Sequence, residues 1–181
     1  MIAISAGHWK IGTGAKDLID EVIEARRVAY EVSKQLEQLG CQNVLIIDDT
    51  SRSKRENLTY LVKKHRLTAA KLHVSIHFNS VAGGRRETAI GTETLYKDTV
   101  MKELAAKISI AISQAGNLKN RGAKCRKDLY FLNHFAKNAI LIEVCFVNSN
   151  RDVQQYMQNF LPICKRMALV LDEWVRKNIR P

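Results

Sequence analysis

The sequence predicts a single α/β domain: a mostly parallel, twisted sheet of about six strands flanked by helices on both faces. Short runs rich in β-branched and aromatic residues alternate with longer helical patterns, the order typical of a sheet built from strand–helix–strand units. The length of 181 residues suits one domain with its own core. We therefore assign residues 1–181 to one domain.

Strand and helix patterns follow one another along the whole chain. The strand-like runs are IAIS near residue 2, NVLIID from Asn43, LHVSIHFN from Leu72, GTETLY from Gly91 and NAILIEVCFV from Asn138. Helical patterns cover about residues 20–39, 54–66 and 100–115, and a last helix ends near Asn178. In such sheets ligands bind at the carboxyl ends of the strands, where the following loops and helix starts meet.

Charge and cysteine spacing limit the classes of function. A formal net charge of +11 favours an anionic partner, which could be nucleic acid, acidic lipid headgroups or a phosphate-bearing wall polymer. The four cysteines are Cys41, Cys125, Cys145 and Cys164. They lack C-x-x-C spacing, which argues against a thiolate zinc site or a disulfide framework. The sequence has neither a signal-peptide pattern nor a run of membrane-spanning length. We therefore expect synthesis in the cytoplasm without a signal peptide, and no membrane insertion.

Two histidines are candidates for a site at the carboxyl edge of the sheet. His8 follows the first strand directly after the turn at Gly7, and His77 lies near the end of the run that starts at Leu72. His73 shares the polar face of that run, but at roughly 3.3 Å per residue it lies about 13 Å nearer the amino end. We choose His77 as the partner of His8 and expect His73 to be a structural histidine. An ordinary surface role is the alternative for His8 alone.

Helical periodicity selects one carboxylate of the first long helix. At about 100° per residue, Glu21 projects within roughly 30° of the centre of the apolar stripe, whereas Glu24 lies roughly 90° away and points more toward solvent. Glu21 therefore points inward near the carboxyl end of the preceding strand. The alternative is that Glu21 only complements the helix dipole. Asp20 or Asp17 is the expected helix cap.

A single carboxylate, Glu143, interrupts the most apolar run of the chain, ILIEVCFV at residues 140–147. An ionised carboxylate in a buried strand is costly unless it is paired with a cation or lies near a metal. A structural salt bridge is one explanation. The other is that Glu143 stands beside a metal site formed by the residues selected above.

Two histidines and one glutamate at one sheet edge match a His₂Glu zinc site, which leaves a fourth position for water. Imidazole and carboxylate ligands without a thiolate cluster favour a catalytic over a structural site. Zinc lowers the pKa of a water ligand toward about 7 and polarises a carbonyl oxygen, and a nearby carboxylate can move the proton to a leaving nitrogen. We predict one Zn²⁺ bound by His8, Glu21 and His77, with Glu143 as the catalytic residue.

These residues and the motifs around them resemble the zinc-dependent N-acetylmuramoyl-L-alanine amidases of the type 3 class. The matching stretches follow the family's order along almost the whole chain: ISAGHW, LEQLGCQNVLIID, VSIHFNS, GTETLY, NRGAK and LIEVCFVNSNRD. Three stretches, NRGAK, DLYFLN and LIEVCFVNSNRD, are most similar to the catalytic domains of phage endolysins. Aligning the first long helix back from Gly40 places the family's ligand glutamate at Glu21, as the periodicity does.

The resemblance implies a zinc site of His8, Glu21 and His77, a catalytic Glu143, and hydrolysis of the amide bond between N-acetylmuramic acid and L-alanine in bacterial peptidoglycan. An endolysin would be made in the bacterial cytoplasm without a signal peptide and would act at the cell wall after release. We expect residues 1–181 to be its catalytic domain, followed in a longer protein by a cell-wall-binding module. The positive charge fits attraction to anionic wall polymers, and we expect a monomer.

Two positions depart from the family's pattern. Trp9 stands where the family commonly has a second glycine after its first histidine, and Ala25 stands where it has an asparagine one turn after the ligand glutamate. The ligands are intact, but the hydrogen bonding around them must differ. Asn79 and Arg121 are further candidates for contacts to the ligands or to the substrate.

Two other functions remain as alternatives. Another zinc peptidoglycan hydrolase, such as a carboxypeptidase or endopeptidase of the stem peptide, could use the same ligands. A basic nucleic-acid-binding module without catalysis would leave the four inward-facing site residues unexplained, and the sequence lacks the aromatic stacking arrays of single-strand binders. We therefore expect no nucleic-acid partner.

Overall fold

The computed structural model describes residues 1–135 and 137–178. These residues contain six strands and six α-helices. The strands are β1 (Ile2–Ala6), β2 (Asn43–Ile46), β3 (Leu72–Asn79), β4 (Thr92–Tyr96), β5 (Asn120–Cys125) and β6 (Ala139–Phe146). The helices are α1 (Glu21–Gln38), α2 (Lys54–Arg66), α3 (Lys102–Gly116), α4 (Tyr130–His134), α5 (Asn150–Gln158) and α6 (Phe160–Asn178). A short 3₁₀ helix, Thr99–Met101, leads into α3.

The strands form one sheet in the order β2-β1-β3-β6-β4-β5. Strands β1, β2, β3 and β6 are parallel to one another, whereas β4 pairs antiparallel with β6 and parallel with β5. The four parallel strands therefore end at the same edge of the sheet. This confirms the predicted fold class, a mostly parallel sheet of about six strands.

One face of the sheet carries the main core, against which α1, α3 and α6 pack. The apolar stripe predicted for α1 is buried on this face and consists of Ala25, Val28, Ala29, Val32 and Leu36. Asp20 begins the helix as its N-cap, because its Oδ1 accepts a hydrogen bond of 2.9 Å from the backbone N–H of Val22. The cap and the stripe together fix the rotation of α1, and hence the direction of its first residue, Glu21.

The opposite face of the sheet is covered by α2 and α4, which contact each other and pack over two smaller apolar clusters. The hydroxyl of Ser53 caps α2 by accepting a hydrogen bond of 3.2 Å from the N–H of Glu56. Helix α4 has only five residues. This thin cover leaves a cavity over the polar side chains of β3 and β6.

Three elements were not among the predicted ones: β5, α4 and α5. Strand β5 has the sequence NRGAKC, lies at the sheet edge with β4 as its partner, and contains Gly122 at φ 75°. An exposed edge strand needs no apolar alternation, so periodicity does not reveal it.

No helix in the described ranges combines the length and apolar character needed to cross a bilayer.

Candidate metal centre and catalytic cavity

Three predicted site residues meet at the carboxyl edge of the parallel strands. His8 follows β1, His77 lies near the end of β3, and Glu21 opens α1. One nitrogen or oxygen from each side chain lies within 4.8 Å of the others. Glu21 Oε2 is 3.0 Å from His8 Nε2, and Glu21 Oε1 is 3.0 Å from His77 Nδ1. The structure therefore places two imidazoles around one carboxylate.

Backbone groups hold the Glu21 carboxylate in place. The N–H of Ala15 donates to Oε2 at 2.7 Å, and the N–H of Phe78 donates to Oε1 at 3.1 Å. Burial alone would raise the pKa of Glu21, but hydrogen bonds from His77 and His8 hold it well below its usual range. Glu21 is thus an anionic ligand candidate rather than a simple complement to the helix dipole.

Two glycines allow the three side chains to approach one another. A Cβ atom on Gly7 would lie on the imidazole ring of His77, and a Cβ atom on Gly14 would lie against both Glu21 Oε2 and the His8 ring. A side chain at either position would displace a candidate ligand. Close packing of backbone against the ligands is therefore part of how the group is assembled.

His8 has a backbone conformation that is uncommon for a residue with a side chain, with φ at 62°. Asn57 on α2 donates from Nδ2 to the His8 carbonyl at 3.1 Å and to Asp48 Oδ2 at 2.8 Å. Arg26 on α1 donates to the carbonyl of the next residue, Trp9, at 2.8 Å. Asn57 and Asp48 are both buried. This network holds the turn that aims His8 at Glu21.

Glu143 lies beside the three-residue group but is not a member of it. It is the register partner of His77 across β3 and β6 and of Glu93 across β6 and β4. Its Oε2 atom is buried and has no hydrogen-bond partner within the described residues. Burial, followed by the charges of Glu21 and Glu93, raises the pKa of Glu143 to about 8. The expected alternative of a salt bridge is not formed in the described part of the chain.

A bulge in β6 follows directly after Glu143. Between the pairs His77–Glu143 and Asn79–Phe146, β3 advances by two residues and β6 by three. The extra residue ends the regular pairing where the strands reach the site, a common position for bulges beside functional residues.

Asn79 and Arg121, both considered as possible contacts, bind the same carboxylate. Asn79 Nδ2 donates to Glu93 Oε1 at 3.1 Å, and Arg121 Nε donates to Glu93 Oε2 at 2.7 Å. Arg121 also lies over the Phe146 ring, 5.1 Å from its centroid. Asn79 lines the cavity described below. Its side chain is therefore oriented by Glu93.

His73 is a structural histidine, as expected. It is buried, its ring stacks on Phe135 at a centroid distance of 4.1 Å, and its Nδ1 lies 3.2 Å from Nδ1 of His65. Burial lowers the pKa of His73 to about 4. Burial and the nearby His73 ring lower the pKa of His65 to about 3. Both imidazoles are therefore neutral at pH 7.

The expectation that Glu24 points toward solvent is wrong. Glu24 is buried, and its Oε2 accepts hydrogen bonds of 2.7 Å from the Tyr156 hydroxyl and from Arg27. Burial and the Glu24 carboxylate raise the pKa of Tyr156, which keeps its proton. Tyr156 comes from α5, distant in sequence, so the periodicity of α1 alone could not reveal that this side of the helix is covered.

A cavity of about 350 Å³ opens over the candidate metal centre and Glu143. Its apolar wall is formed by residues of α2, β4, β6 and the α4 region, namely Leu58, Leu61, Leu95, Leu129, Phe131 and Leu141. The acidic residues in the lining are Glu21 and Glu143, and its cations are Lys54 and Arg126. The cavity thus brings together a candidate metal-binding group, an apolar surface and a carboxyl group whose Oε2 atom has no partner among the described residues.

Comparisons with known proteins identify the family of this sequence. The sequence matches the family profile of N-acetylmuramoyl-L-alanine amidase over residues 2–163. An uncharacterised protein of Clostridium perfringens strain 13 is 33% identical over 184 residues, covering 99% of this chain and 54% of its own length. An uncharacterised 38.4 kDa protein of Clostridium perfringens is 36% identical over 159 residues, covering 87% and 46%. The chain therefore spans about half the length of these relatives.

Solved structures share the fold. The catalytic domain of the CD27L endolysin, which targets Clostridium difficile, has a TM-score of 0.84 at 24% identity and covers 95% of this chain and 96% of that domain. The CwlD amidase of Clostridioides difficile, solved in complex with the GerS lipoprotein, has a TM-score of 0.84 at 21% identity and covers 98% of each chain. Because the profile match spans most of the sequence, this chain belongs to the type 3 class of the N-acetylmuramoyl-L-alanine amidase family.

Proposed function

We propose that this protein hydrolyses the amide bond between N-acetylmuramic acid and L-alanine in bacterial peptidoglycan, with one Zn²⁺ held by His8, Glu21 and His77. One observation carries the proposal: the two imidazoles and the carboxylate converge within 4.8 Å at the edge of a cavity that also contains Glu143, whose Oε2 atom has no partner among the described residues. Family membership supports the same reaction class.

The donor set fits zinc. Two imidazole nitrogens and one carboxylate are common ligands of catalytic zinc sites, which leave one coordination position open. Glu21 supplies the negative charge, since its hydrogen bonds favour the ionised form. The backbone N–H groups of Ala15 and Phe78 orient that carboxylate for binding a metal ion. When bound, zinc would supply Lewis-acid polarisation of the substrate carbonyl and activation of water.

Glu143 is proposed as the residue that moves the proton. No described residue bonds to its Oε2 atom, so that atom can accept a proton from the attacking water without displacing a partner. The water oxygen then forms a bond to the carbonyl carbon, the carbon–nitrogen bond breaks, and the same proton passes from Glu143 to the departing amino group of L-alanine. This step needs the ionised form of Glu143; a bound cation would lower the pKa of Glu143 from about 8 and so would favour that form near pH 7.

The cavity would select and position the substrate. Its leucine and phenylalanine side chains would exclude water from the reacting amide, and the Asn79 amide, oriented by Glu93, offers a hydrogen-bonding group. We propose that residues 1–181 act as one catalytic domain. The biological role proposed is host lysis by a phage or prophage endolysin, supported by the motif resemblance and by the fold shared with an endolysin domain.

Mass spectrometry of digested peptidoglycan tests the reaction. Cleavage by the amidase releases stem peptides that are intact and carry a new amino terminus at L-alanine. Cuts within the stem peptide would instead assign the protein to the alternative class of zinc carboxypeptidases or endopeptidases. Absence of any cleavage by the zinc-loaded protein would contradict both.

A further inference from the structure

A shallow groove of about 240 Å³ adjoins the catalytic cavity between α2 and α4. Helix α2 contributes Lys63 and Arg66 to it, followed by Leu67 at its C-cap, and α4 contributes Tyr130 and His134. Tyr130 lines both the groove and the catalytic cavity. A ligand that extends out of the cavity past Tyr130 would therefore enter the groove.

The charged lining of the groove is basic. Lys63 and Arg66 are exposed, and neither pairs with a carboxylate within the ranges that the structure describes. In the neighbouring cavity the charged residues outside the proposed zinc and proton-transfer site are also cations, Lys54 and Arg126. Arg126 is paired with Asp128 at 2.7 Å, whereas Lys54, like Lys63 and Arg66, has no carboxylate partner among the described residues. A ligand that extends from the cavity into the groove would thus meet three such cations.

The groove also offers an ordered apolar surface. Leu67 is 73% exposed and Tyr130 is 38% exposed. The Tyr130 ring packs on His134 with the ring centroids 4.0 Å apart, and His134 Nδ1 lies 2.8 Å from the Tyr130 carbonyl. The aromatic wall is therefore held in position by its own helix, which reduces the entropic cost of binding.

We propose that this groove binds the acidic peptide stem of the substrate beyond L-alanine, with Lys63 and Arg66 contacting its carboxylates and Leu67 and Tyr130 its apolar groups. This inference rests on the proposed amidase function, because the scissile amide would place the first stem residue in the catalytic cavity. The peptide that follows L-alanine in peptidoglycan carries free carboxylates, which match the basic lining. The groove would make the length and charge of the stem determinants of specificity.

Two synthetic substrates separate binding in the groove from chemistry: N-acetylmuramoyl-L-alanine, which ends at the first residue, and N-acetylmuramoyl pentapeptide. Replacing both groove cations, Lys63→Gln with Arg66→Gln, should raise KM for the pentapeptide about tenfold, since two exposed ion pairs are lost. Hydrolysis of the short substrate should be unchanged. An equal loss on both substrates, or no loss on either, would overturn the proposal.

A matched control removes the same charges elsewhere. Lys165 and Arg166 are exposed on α6, which packs on the opposite face of the sheet. Lys165→Gln with Arg166→Gln should leave KM for both substrates unchanged. If this control raises KM for the pentapeptide as much as the groove variant does, general electrostatic attraction explains the effect and the groove has no specific role.

Measuring the affinity of the free stem peptide tests the groove without depending on catalysis. Calorimetric titration with the free pentapeptide stem should give about tenfold weaker binding to the Lys63→Gln, Arg66→Gln variant than to the unaltered protein, and amidation of the peptide carboxylates should remove that difference. If the unaltered protein cleaves neither substrate yet binds the peptide in this way, the amidase proposal fails while the groove stands. If the groove variant is impaired only on walls that carry phosphate polymers, the ligand is such a polymer and not the peptide.

Discussion

Replacing Glu143 by glutamine should change how the stability of the metal-free protein depends on pH. In the native state burial raises the pKa of Glu143 to about 8, whereas its ordinary value is 4.5. Between these values the native protein keeps the proton and the unfolded chain releases it. The wild-type protein therefore loses stability as the pH rises through this window, and the loss is complete above pH 8.

The size of this effect follows from the two pKa values. Each unit of difference corresponds to about 1.4 kcal/mol, and integration from pH 5 to pH 8 gives a loss of about 3 kcal/mol. Glutamine has the same shape and does not titrate. The free energy of unfolding of Glu143→Gln, relative to wild type, should therefore rise by about 3 kcal/mol over this interval. Titrating groups that do not interact with Glu143 cancel because both proteins contain them.

Urea denaturation in the presence of a chelator at pH 5, 6, 7 and 8 measures this difference. Glu37→Gln is a suitable control, since it removes a carboxyl group from an exposed position of the same helix that carries Glu21. The free energy of unfolding of Glu37→Gln, relative to wild type, should vary much less with pH. If the free energy of unfolding of Glu143→Gln, relative to wild type, stays constant across the range, Glu143 is ionised throughout in the folded protein, as in a salt bridge, and the reasoning is refuted.

Further predictions concern the zinc ligands and their supports. With zinc bound, Glu143→Gln should keep the metal and lose about 10²- to 10⁴-fold in kcat, measured on purified cell walls; full activity would remove Glu143 from the mechanism. His77→Ala should lose the metal by elemental analysis, whereas His73→Phe should keep it. Asn57→Ala should weaken zinc affinity about 10- to 100-fold in a competition titration with a fluorescent chelator. Asn159→Ala, which removes an amide that donates to backbone carbonyls of α3 and α5, should leave zinc affinity unchanged.

The sequence allows the ligand candidates to be chosen because their selection depends on local periodicity. Alternation along β3 separates His77 from His73, and rotation about α1 directs Glu21 inward. The side chain of Glu143 stands out since it breaks an apolar run. The metal-binding and catalytic roles of these residues remain predictions, although the geometry that they require is present.

Features that depend on contacts between distant elements could not be predicted in the same way. The burial of Glu24 comes from Tyr156 on α5, and the support of His8 comes from Asn57 on α2. Neither contact leaves a periodic trace in the sequence. Strand β5 was missed for a related reason, because an exposed edge strand has no apolar alternation. Only the turn at Gly122 marks it, and a single glycine does not distinguish a strand from a loop.

Metal content measured on the same preparation as the chemistry of the cut bond tests the central claim most directly. We expect one zinc ion per protein, loss of hydrolysis on chelation with recovery when zinc is restored, and mass spectra that show intact stem peptides with a free L-alanine amino terminus. Undiminished hydrolysis by the metal-free protein, or products cut within the stem peptide, would contradict the proposed zinc amidase.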